Sequence, residues 1–196
     1  MRARLLTLLC QHAYREGDFT LASGQKSSYY INGKLVTLAA EGAYLTGKLL
    51  FDLLPTQVQA VGGLTLGADP LATAVSVVSF LAGKPRSAFI VRKQAKGYGA
   101  NQSVEGPPLP PGTPVAILED VVTTGASALQ AVEAVEKLGW QVAVILTLVD
   151  RNQGGAELYA SRGYSFQALF TIAEVQACYR DLLPKEIRQG YPPRPL

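Results

Sequence analysis

Histidine, cysteine and long apolar runs are scarce in this chain, and their scarcity excludes several classes of function. The 196 residues include one histidine, His12, and two cysteines, Cys10 and Cys178. One histidine cannot build a histidine-rich metal site, and no serine elbow accompanies it for a Ser-His-Asp triad. The cysteines lie far apart and lack CxxC or zinc-type spacing, so we expect two reduced, buried thiols.

Charge and hydropathy exclude further classes. The net charge of +3 is modest and no Lys/Arg tract suggests a nucleic-acid arm. No stretch reaches the length of a membrane span, and neither GxxxxGK[ST] nor GxGxxG occurs. The first apolar run is short and broken by Gln11 and His12, so it predicts an amphipathic helix rather than a signal peptide. We therefore expect a cytoplasmic protein that binds neither nucleic acid nor membrane.

What the chain does have is an alternation of apolar strands and helices. Ahead of it, the spacing predicts helices over 3–16 and 41–54, and a turn with a short strand pair over 19–34. Then come predicted strands at 58–64, 87–93, 115–119, 142–150 and 165–171, predicted helices at 69–83, 126–139, 155–163 and near 173–182, and a long loop at 94–114. Asp69 is the predicted N-cap of its helix. The pattern predicts one α/β domain whose mainly parallel sheet is flanked by helices and binds ligands beyond the carboxyl ends of its strands.

The segment "VAILEDVVTTGAS" (115–127) has the features of a phosphate site beside a diol site. The helix that follows Gly125 offers free N–H groups and a positive dipole end, and Thr123, Thr124 and Ser127 add hydroxyl donors. Two adjacent acids, 119 and 120, suit a hydrogen-bond-donating vicinal diol or a divalent cation rather than the phosphate. Phosphate beside a diol indicates a ribose 5-phosphate. An ordinary strand-turn-helix with an acidic cap remains the alternative.

The end of the second predicted core strand is basic. Arg92, Lys93 and Lys96 place three cations within five residues, and Gly97 and Gly99 follow. A loop of this composition could close over a diphosphate leaving group, neutralise its charge and exclude water from an oxocarbenium-like centre. The alternative is a solvated surface loop.

The segment 115–127 resembles the phosphoribosyl diphosphate signature of type I phosphoribosyltransferases. The order and spacing of three further stretches are similar to those of the orotate phosphoribosyltransferases of that family. These stretches are "FTLASGQKSSYYIN" (19–32), "FIVRKQAKGYG" (89–99) and "LVDRNQGG" (148–155). The resemblance covers most of the chain. It implies the type I fold, with an N-terminal hood of about residues 1–40 over the base, an α/β core of about 41–175 and a C-terminal tail.

The resemblance also implies an activity and a set of site residues. The activity is Mg²⁺-dependent transfer of the phosphoribosyl group from 5-phosphoribosyl 1-diphosphate to orotate in pyrimidine biosynthesis, with the metal held mainly by the substrate. Glu119 and Asp120 would contact the ribose hydroxyls and, with Lys96, form the catalytic group. The donor would be bound by Arg92, Lys93, Lys96, Tyr98, Glu119, Asp120, Val121, Val122, Thr123, Thr124, Gly125, Ala126 and Ser127. Orotate would be bound by Lys26, Tyr30, Ile31, Thr123 and Arg151. The basic loop would reach the neighbouring subunit's site, which implies a homodimer.

The chain departs from the family pattern at three positions. The lid loop, usually K-x-H-G, reads Lys96-Gly97-Tyr98-Gly99 here, and tyrosine cannot carry the positive charge of a protonated histidine. The segment "TLGADP" lacks the lysine that some members have after the first core strand. Ala22 stands where some members have another lysine, and Lys26 could supply charge there.

Two other functions remain open at this point. A purine phosphoribosyltransferase would use the same cradle, although Arg151 and "SGQKSSYY" favour an acidic base. A non-catalytic regulator that senses phosphoribosyl diphosphate could keep the cradle and lose the lid, a possibility that Tyr98 raises. Such regulators usually carry a DNA-binding extension, and the single helix expected ahead of the base-binding segment is too short for a helix-turn-helix.

Overall fold

A six-stranded sheet forms the centre of the computed structural model, which describes residues 1–20, 24, 26–93 and 103–183. In chain order the elements are α1 (Arg2–Leu8), a π-helical turn (Leu9–Ala13), β1 (Tyr14–Thr20), β2 (Lys26–Ile31), α2 (Lys34–Thr37), α3 (Ala40–Leu53), β3 (Ala60–Leu64), α4 (Ala68–Leu81), β4 (Ser87–Val91), β5 (Val104–Glu105), β6 (Pro114–Val122), α5 (Ala126–Glu136), β7 (Gln141–Asp150), α6 (Gly155–Ser161), β8 (Phe166–Thr171) and α7 (Ile172–Leu182).

The strand order in the sheet is β5-β4-β3-β6-β7-β8, and every pairing is parallel except that of the short β5 with β4. Strand β3 is buried at all five positions, and most of β6 and β7 is buried too. Strands covered on both faces need continuous apolar runs, and these runs made the sheet recognisable in the sequence. The predicted mainly parallel α/β architecture is confirmed.

Separate hydrophobic cores cover the two faces of the sheet. One core takes Leu5 of α1, Leu50 of α3 and Leu71 of α4. The other takes Val132 of α5 and Tyr159 of α6. Burying each such leucine or valine contributes about 1.5–3 kcal/mol. Helices therefore flank the sheet on both sides.

The N-terminal hairpin forms its own two-stranded antiparallel sheet, β1 with β2. The predicted strand pair is confirmed, but the predicted helix over 3–16 is too long, because the helical turns end at Ala13 and Tyr14 begins β1. Tyr14 is fully buried, and its ring stacks on Tyr29 at 5.7 Å and meets Tyr179 of α7 edge-on at 5.0 Å. These aromatic contacts fix the hairpin against the C-terminal helix.

Strand β6 is longer than predicted. It continues to Val122, so Glu119 is not its last residue and Asp120 lies inside the strand rather than after it. The polar side chains did not end the strand because the ladder with β7 continues past them, pairing Glu119 with Thr147. The Thr147 hydroxyl also donates to the Glu119 carbonyl oxygen at 3.0 Å. The acids are therefore held on a central strand and not on a loop.

Two further predictions are wrong in detail. Asp69 is not the N-cap of α4: Gly67 holds that position, and Asp69 lies in the first turn, where its Oδ2 accepts a hydrogen bond from Thr65 Oγ1 at 2.7 Å. The segment predicted as one long loop contains β5, which pairs with Ile90 and Val91 of β4. Strands of two residues carry too little periodicity to be recognised in a sequence.

The two cysteines are free thiols. Cys10 is buried, and its Sγ donates to the Val175 carbonyl oxygen at 3.4 Å, whereas Cys178 is only half-buried on α7. Burial raises the pKa of Cys10, so this thiol stays protonated at neutral pH. Across the described ranges, no helix combines the length and hydropathy needed to cross a membrane.

Candidate active site

The carboxyl ends of β3, β6 and β7 are neighbours in the sheet, so the loops after them meet at one edge. These loops begin at Thr65, Thr123 and Arg151. The β1–β2 hairpin lies at the same place, because Tyr29 and Ser27 both contact Arg151. The described residues that follow these strands therefore lie together at one edge of the sheet.

The turn after β6 has the geometry of an anion cradle. Gly125 adopts φ 88°, a left-handed conformation that glycine accepts without strain, and it is the N-cap of α5. No side-chain oxygen caps this helix, so its first N–H groups remain available. The turn encloses a cavity of about 70 Å³ that is lined by Glu119, residues 121–128 and Tyr159. That volume is larger than the ~10–15 Å³ that one water requires, so the turn has room for a small anion.

The two acids leave β6 on opposite faces, as successive strand residues do, but their carboxylates converge beside Gly67. Glu119 lines the cradle cavity. Asp120 Oδ2 lies 3.1 Å from Lys34 Nζ, and Asp120 Oδ1 accepts from the Val121 N–H at 3.0 Å. Both are nearly buried, at 7% and 8% exposure. A Cβ added at Gly67 would collide with Asp120 Oδ1 and lie 3.1 Å from Glu119 Oε1, so this glycine lets the loop after β3 approach the acids.

Burial and the neighbouring negative charge of Asp120 raise the pKa of Glu119 to about 8. Lys34 opposes this shift only weakly, since its contact is with Asp120. Among the described residues, Glu119 Oε2 has no hydrogen-bond partner. Glu119 therefore keeps its proton to higher pH than an ordinary glutamate does.

This raised pKa predicts how stability depends on pH. Between about pH 4.5 and 8 the folded protein keeps a proton on Glu119 that the unfolded chain releases, so the free energy of unfolding falls as pH rises through this window. We expect Glu119→Gln to flatten that slope in urea unfolding measured from pH 5 to 9. Glu157→Gln, an exchange at an exposed glutamate of α6, is the matched control. Equal slopes in wild type and Glu119→Gln would contradict the assignment.

Arg151 is a buried cation that joins β7 to the hairpin. Only 8% of it is exposed, its Nε donates to the Tyr29 hydroxyl at 2.9 Å, and its Nη2 donates to Ser27 Oγ at 3.4 Å. The guanidinium carbon lies 4.7 Å from the centre of the Tyr29 ring. Because guanidinium has five N–H donors and two are used by described residues, the others are free to hold an acidic ligand.

The residues predicted to cover the base lie on both faces of β2. Tyr30 is 46% exposed and packs on Phe19 at 5.6 Å, Ile31 is half-buried against the core, and Lys26 is exposed. Tyr29, which the sequence analysis did not single out, is the ring that contacts Arg151. Strand alternation places residues 27, 29 and 31 on one face, and this signal could have identified Ser27 and Tyr29.

Two of the four residues predicted for the lid, Lys96 and Tyr98, lie outside the described residues. Arg92 follows β4 directly, and its Nη1 lies 2.8 Å from Glu105 Oε1 of β5. Lys93 is exposed, and its carbonyl oxygen accepts from Gln130 of α5 at 3.4 Å. The base of the predicted lid thus starts beside the cradle helix.

Two residues at the site carried no sequence signal. Lys34 pairs with Asp120 from α2, a four-residue helix that the sequence did not predict. Tyr159 borders the cradle from α6, and nothing in its local pattern marks it as different from a core aromatic. Both contacts join segments far apart in sequence, so only the tertiary structure shows them.

For a metal ion, the chain offers few ligands. The described ranges contain no group of three or more His, Cys, Asp or Glu side chains placed to hold one. The Glu119–Asp120 pair could supply two oxygen ligands, which suits Mg²⁺ only if a substrate supplies others.

Known proteins resemble this chain over most of its length, although no protein-family model matches it. It is 60% identical over 180 residues to an orotate phosphoribosyltransferase of Synechocystis sp., covering 92% of this chain and 91% of that one. It is 57% identical over 182 residues to the orotate phosphoribosyltransferase of a Nostoc species, covering 93% and 88%.

Solved structures agree. The orotate phosphoribosyltransferase of Mycobacterium tuberculosis in complex with inorganic phosphate superposes with a TM-score of 0.78 at 36% identity, covering 89% of this chain and 98% of that one. The same enzyme in complex with 5-phospho-α-D-ribosyl 1-diphosphate gives a TM-score of 0.74 at 35% identity, with the same coverage. With this identity and coverage, and with the cradle, the acid pair and the buried arginine at one edge of a type I fold, the chain belongs to the orotate phosphoribosyltransferase family.

Proposed function

We propose that the protein transfers the phosphoribosyl group of 5-phosphoribosyl 1-diphosphate to orotate, forming orotidine 5′-monophosphate and diphosphate in UMP biosynthesis. The observation that carries the proposal is the buried Arg151 beside the anion cradle, held by Tyr29 at 2.9 Å. A guanidinium fork matches the carboxylate of orotate, and purine bases have no such group. The names of the relatives at 56–60% identity support the same reaction.

In the proposed reaction, the ring nitrogen N1 of orotate attacks the anomeric carbon of the ribose while the bond from that carbon to the diphosphate oxygen breaks. The electron pair of the broken bond leaves with the diphosphate. Orotate can react as its ring-nitrogen anion, so no side chain has to act as nucleophile. The protein's contribution is to hold the two reactants in line, with the 5-phosphate on residues 123–127, the diol on Glu119 and Asp120, and the orotate carboxylate on Arg151.

Mg²⁺ fits this site as an ion shared with the substrate. Magnesium is commonly bound by one or two carboxylates together with substrate phosphates, and Glu119 and Asp120 could supply that share. Bound there, the ion would neutralise charge on the diphosphate leaving group. Lys34, which pairs with Asp120 at 3.1 Å, would have to give up this contact or share the carboxylate.

We propose further that the basic segment after β4 closes over the diphosphate. Arg92 and Lys93 stand at its described start, and Lys96 and Tyr98 would complete it. The cations would neutralise the leaving group, and closure would exclude water from the reacting carbon.

A homodimer fits the exposed apolar surface formed by α3, α4 and the residues just before these two helices. Five large side chains of this surface are more than half exposed: Leu38, Tyr44, Leu66, Val77 and Leu81. They line a groove of about 700 Å³. Apolar surface of this extent usually marks an interface. Lys34 and Asp69 border the same groove, so a second copy seated on it would lie next to the site, as a shared lid requires.

The dimer is tested by a charge placed in the groove. Val77→Glu should convert a wild-type dimer into monomers, because burying an unpaired carboxylate at an interface is strongly unfavourable. Sedimentation velocity at several concentrations measures this. Leu138→Glu, at an exposed leucine after α5, is the matched control and should stay dimeric. A monomeric wild type would refute the proposal.

The reaction itself is tested by turnover. The protein is incubated with 5-phosphoribosyl 1-diphosphate, Mg²⁺ and either orotate or a panel of purine bases, and nucleotide formation is followed by chromatography. We expect orotidine 5′-monophosphate alone. Purine nucleotide formation would favour a purine phosphoribosyltransferase. Binding of the donor without turnover on any base would favour the sensing regulator.

A further inference from the structure

Tyr159 has a buried hydroxyl that no described residue satisfies. The residue is 0% exposed, and its Oη has no hydrogen-bond partner. An unpaired buried hydroxyl is destabilising, and native proteins keep few of them. The unpaired Tyr159 hydroxyl is therefore a candidate ligand-binding group, and its position indicates which ligand it would bind.

The packing of α6 directs this hydroxyl at the cradle. A side chain at Gly155, where α6 begins, would collide with Val122, so the glycine brings the helix directly behind the cradle strand. Tyr159 follows one turn later on the same helix face. Its ring packs against Phe166 at 5.1 Å on one side. On the other side, its Oη would lie 3.1 Å from a Cβ added to Gly125.

The surroundings keep the phenol a hydrogen-bond donor. Burial, with the negative charges of Glu119 and Asp150 nearby, raises the pKa of Tyr159, so the hydroxyl holds its proton. Tyr159 lines the same small cavity as the residues at the start of α5, whose first N–H groups are free of side-chain caps. A donor without a partner and a helix N-terminus that face one cavity are both satisfied by an anion.

We propose that the Tyr159 hydroxyl is an additional binding group of the cradle, donating a hydrogen bond to a phosphate oxygen of the ribose phosphate seated on residues 123–127. This inference deepens the proposed function, since it rests on that function's phosphate subsite. No described residue pairs with the hydroxyl, so a phosphate oxygen bound in the cradle would be its hydrogen-bond partner. The competing arrangement is a bond between this hydroxyl and Glu119 Oε2, which also lacks a described partner.

Tyr159→Phe tests the proposal because it keeps the ring packing and removes only the donor. Isothermal titration with ribose 5-phosphate, and separately with inorganic phosphate, should show about tenfold weaker binding of both. The melting temperature of the unliganded protein should be unchanged or higher, because an unpaired hydroxyl has been removed. In turnover, KM for the phosphoribosyl donor should rise more than kcat falls.

Tyr164→Phe is the matched control, since the Tyr164 hydroxyl donates to Glu136 on the exposed surface at 2.8 Å. It should leave both affinities unchanged. Equal affinities in wild type and Tyr159→Phe would overturn the inference, even if the protein turns over orotate. The proposed function itself would fail in a different way, by an absence of turnover in the wild type. Parallel losses of melting temperature and affinity would make Tyr159 structural. If Tyr159→Phe shifts the pH profile of binding without changing the maximal affinity, the hydroxyl bonds to Glu119 instead of the ligand. A wild type that binds neither ribose 5-phosphate nor inorganic phosphate would also refute the inference.

Discussion

Replacing Arg151 by lysine is expected to lower kcat/KM for orotate by about 10²–10³-fold and to leave KM for the phosphoribosyl donor nearly unchanged. The reason is the fixed geometry of the guanidinium. The guanidinium carbon lies 4.7 Å from the centre of the Tyr29 ring, and the group donates to the hydroxyls of Tyr29 and Ser27. These contacts fix its orientation, and therefore the direction in which its remaining N–H groups point. A lysine ammonium is a point charge without this fork, and it would leave the orotate carboxylate poorly paired in a buried site.

The measurement is steady-state kinetics with each substrate varied in turn. Arg162→Lys makes the same exchange at an exposed arginine just after α6 and should behave as wild type. If the donor's KM rises and orotate's does not, Arg151 serves the ribose phosphate instead. An unchanged kcat/KM for both substrates would remove Arg151 from the site, and with it the observation that carries the proposed function.

Asp120→Asn is expected to weaken binding of ribose 5-phosphate by about 10–100-fold without unfolding the protein. The carboxylate is nearly buried, and a diol that donates to it forms charge-assisted bonds that an amide oxygen makes less well. Stability should change little. The Lys34 ion pair that is lost has a partly exposed lysine and contributes little, and removing a charge beside Glu119 relieves repulsion.

Calorimetric titration and thermal unfolding together check this prediction. The matched control is Asp52→Asn, at another aspartate that pairs with a lysine, Lys48, on the surface of α3. It should bind ribose 5-phosphate like wild type. Wild-type affinity in Asp120→Asn would refute the role of this acid, and an unfolded variant would show that the ion pair stabilises the fold far more than its exposure suggests.

Much of the fold could be predicted because its strands are buried on both faces. Strands β3, β6 and β7 contain short, mainly apolar runs that are followed by polar turns, and such runs can be recognised in a sequence without the tertiary structure. The ends of the helices and strands were harder to predict from the sequence. The helix predicted over 3–16 stopped at Ala13 and β6 ran on through two acids, in each case because pairing or packing with a distant segment outweighed local preference.

The site residues also differ in whether the sequence alone could bring them together. Groups that share one local segment, such as the acids and the glycine turn at 119–125, could be assembled from the sequence alone. Groups that meet only through the fold could not. Lys34 reaches Asp120 across 86 positions and Tyr29 reaches Arg151 across 122, and no spacing rule encodes such contacts.

The convergence of two carboxylates from opposite faces of β6 has a mechanical consequence. Glu119 comes from the face of α5 and α6, and Asp120 from the face that carries α2. A ribose bound by both carboxylates, as in the proposed reaction, would touch side chains from both layers at once. We therefore expect its binding to slow hydrogen exchange in α2 as well as in the turn at 123–127.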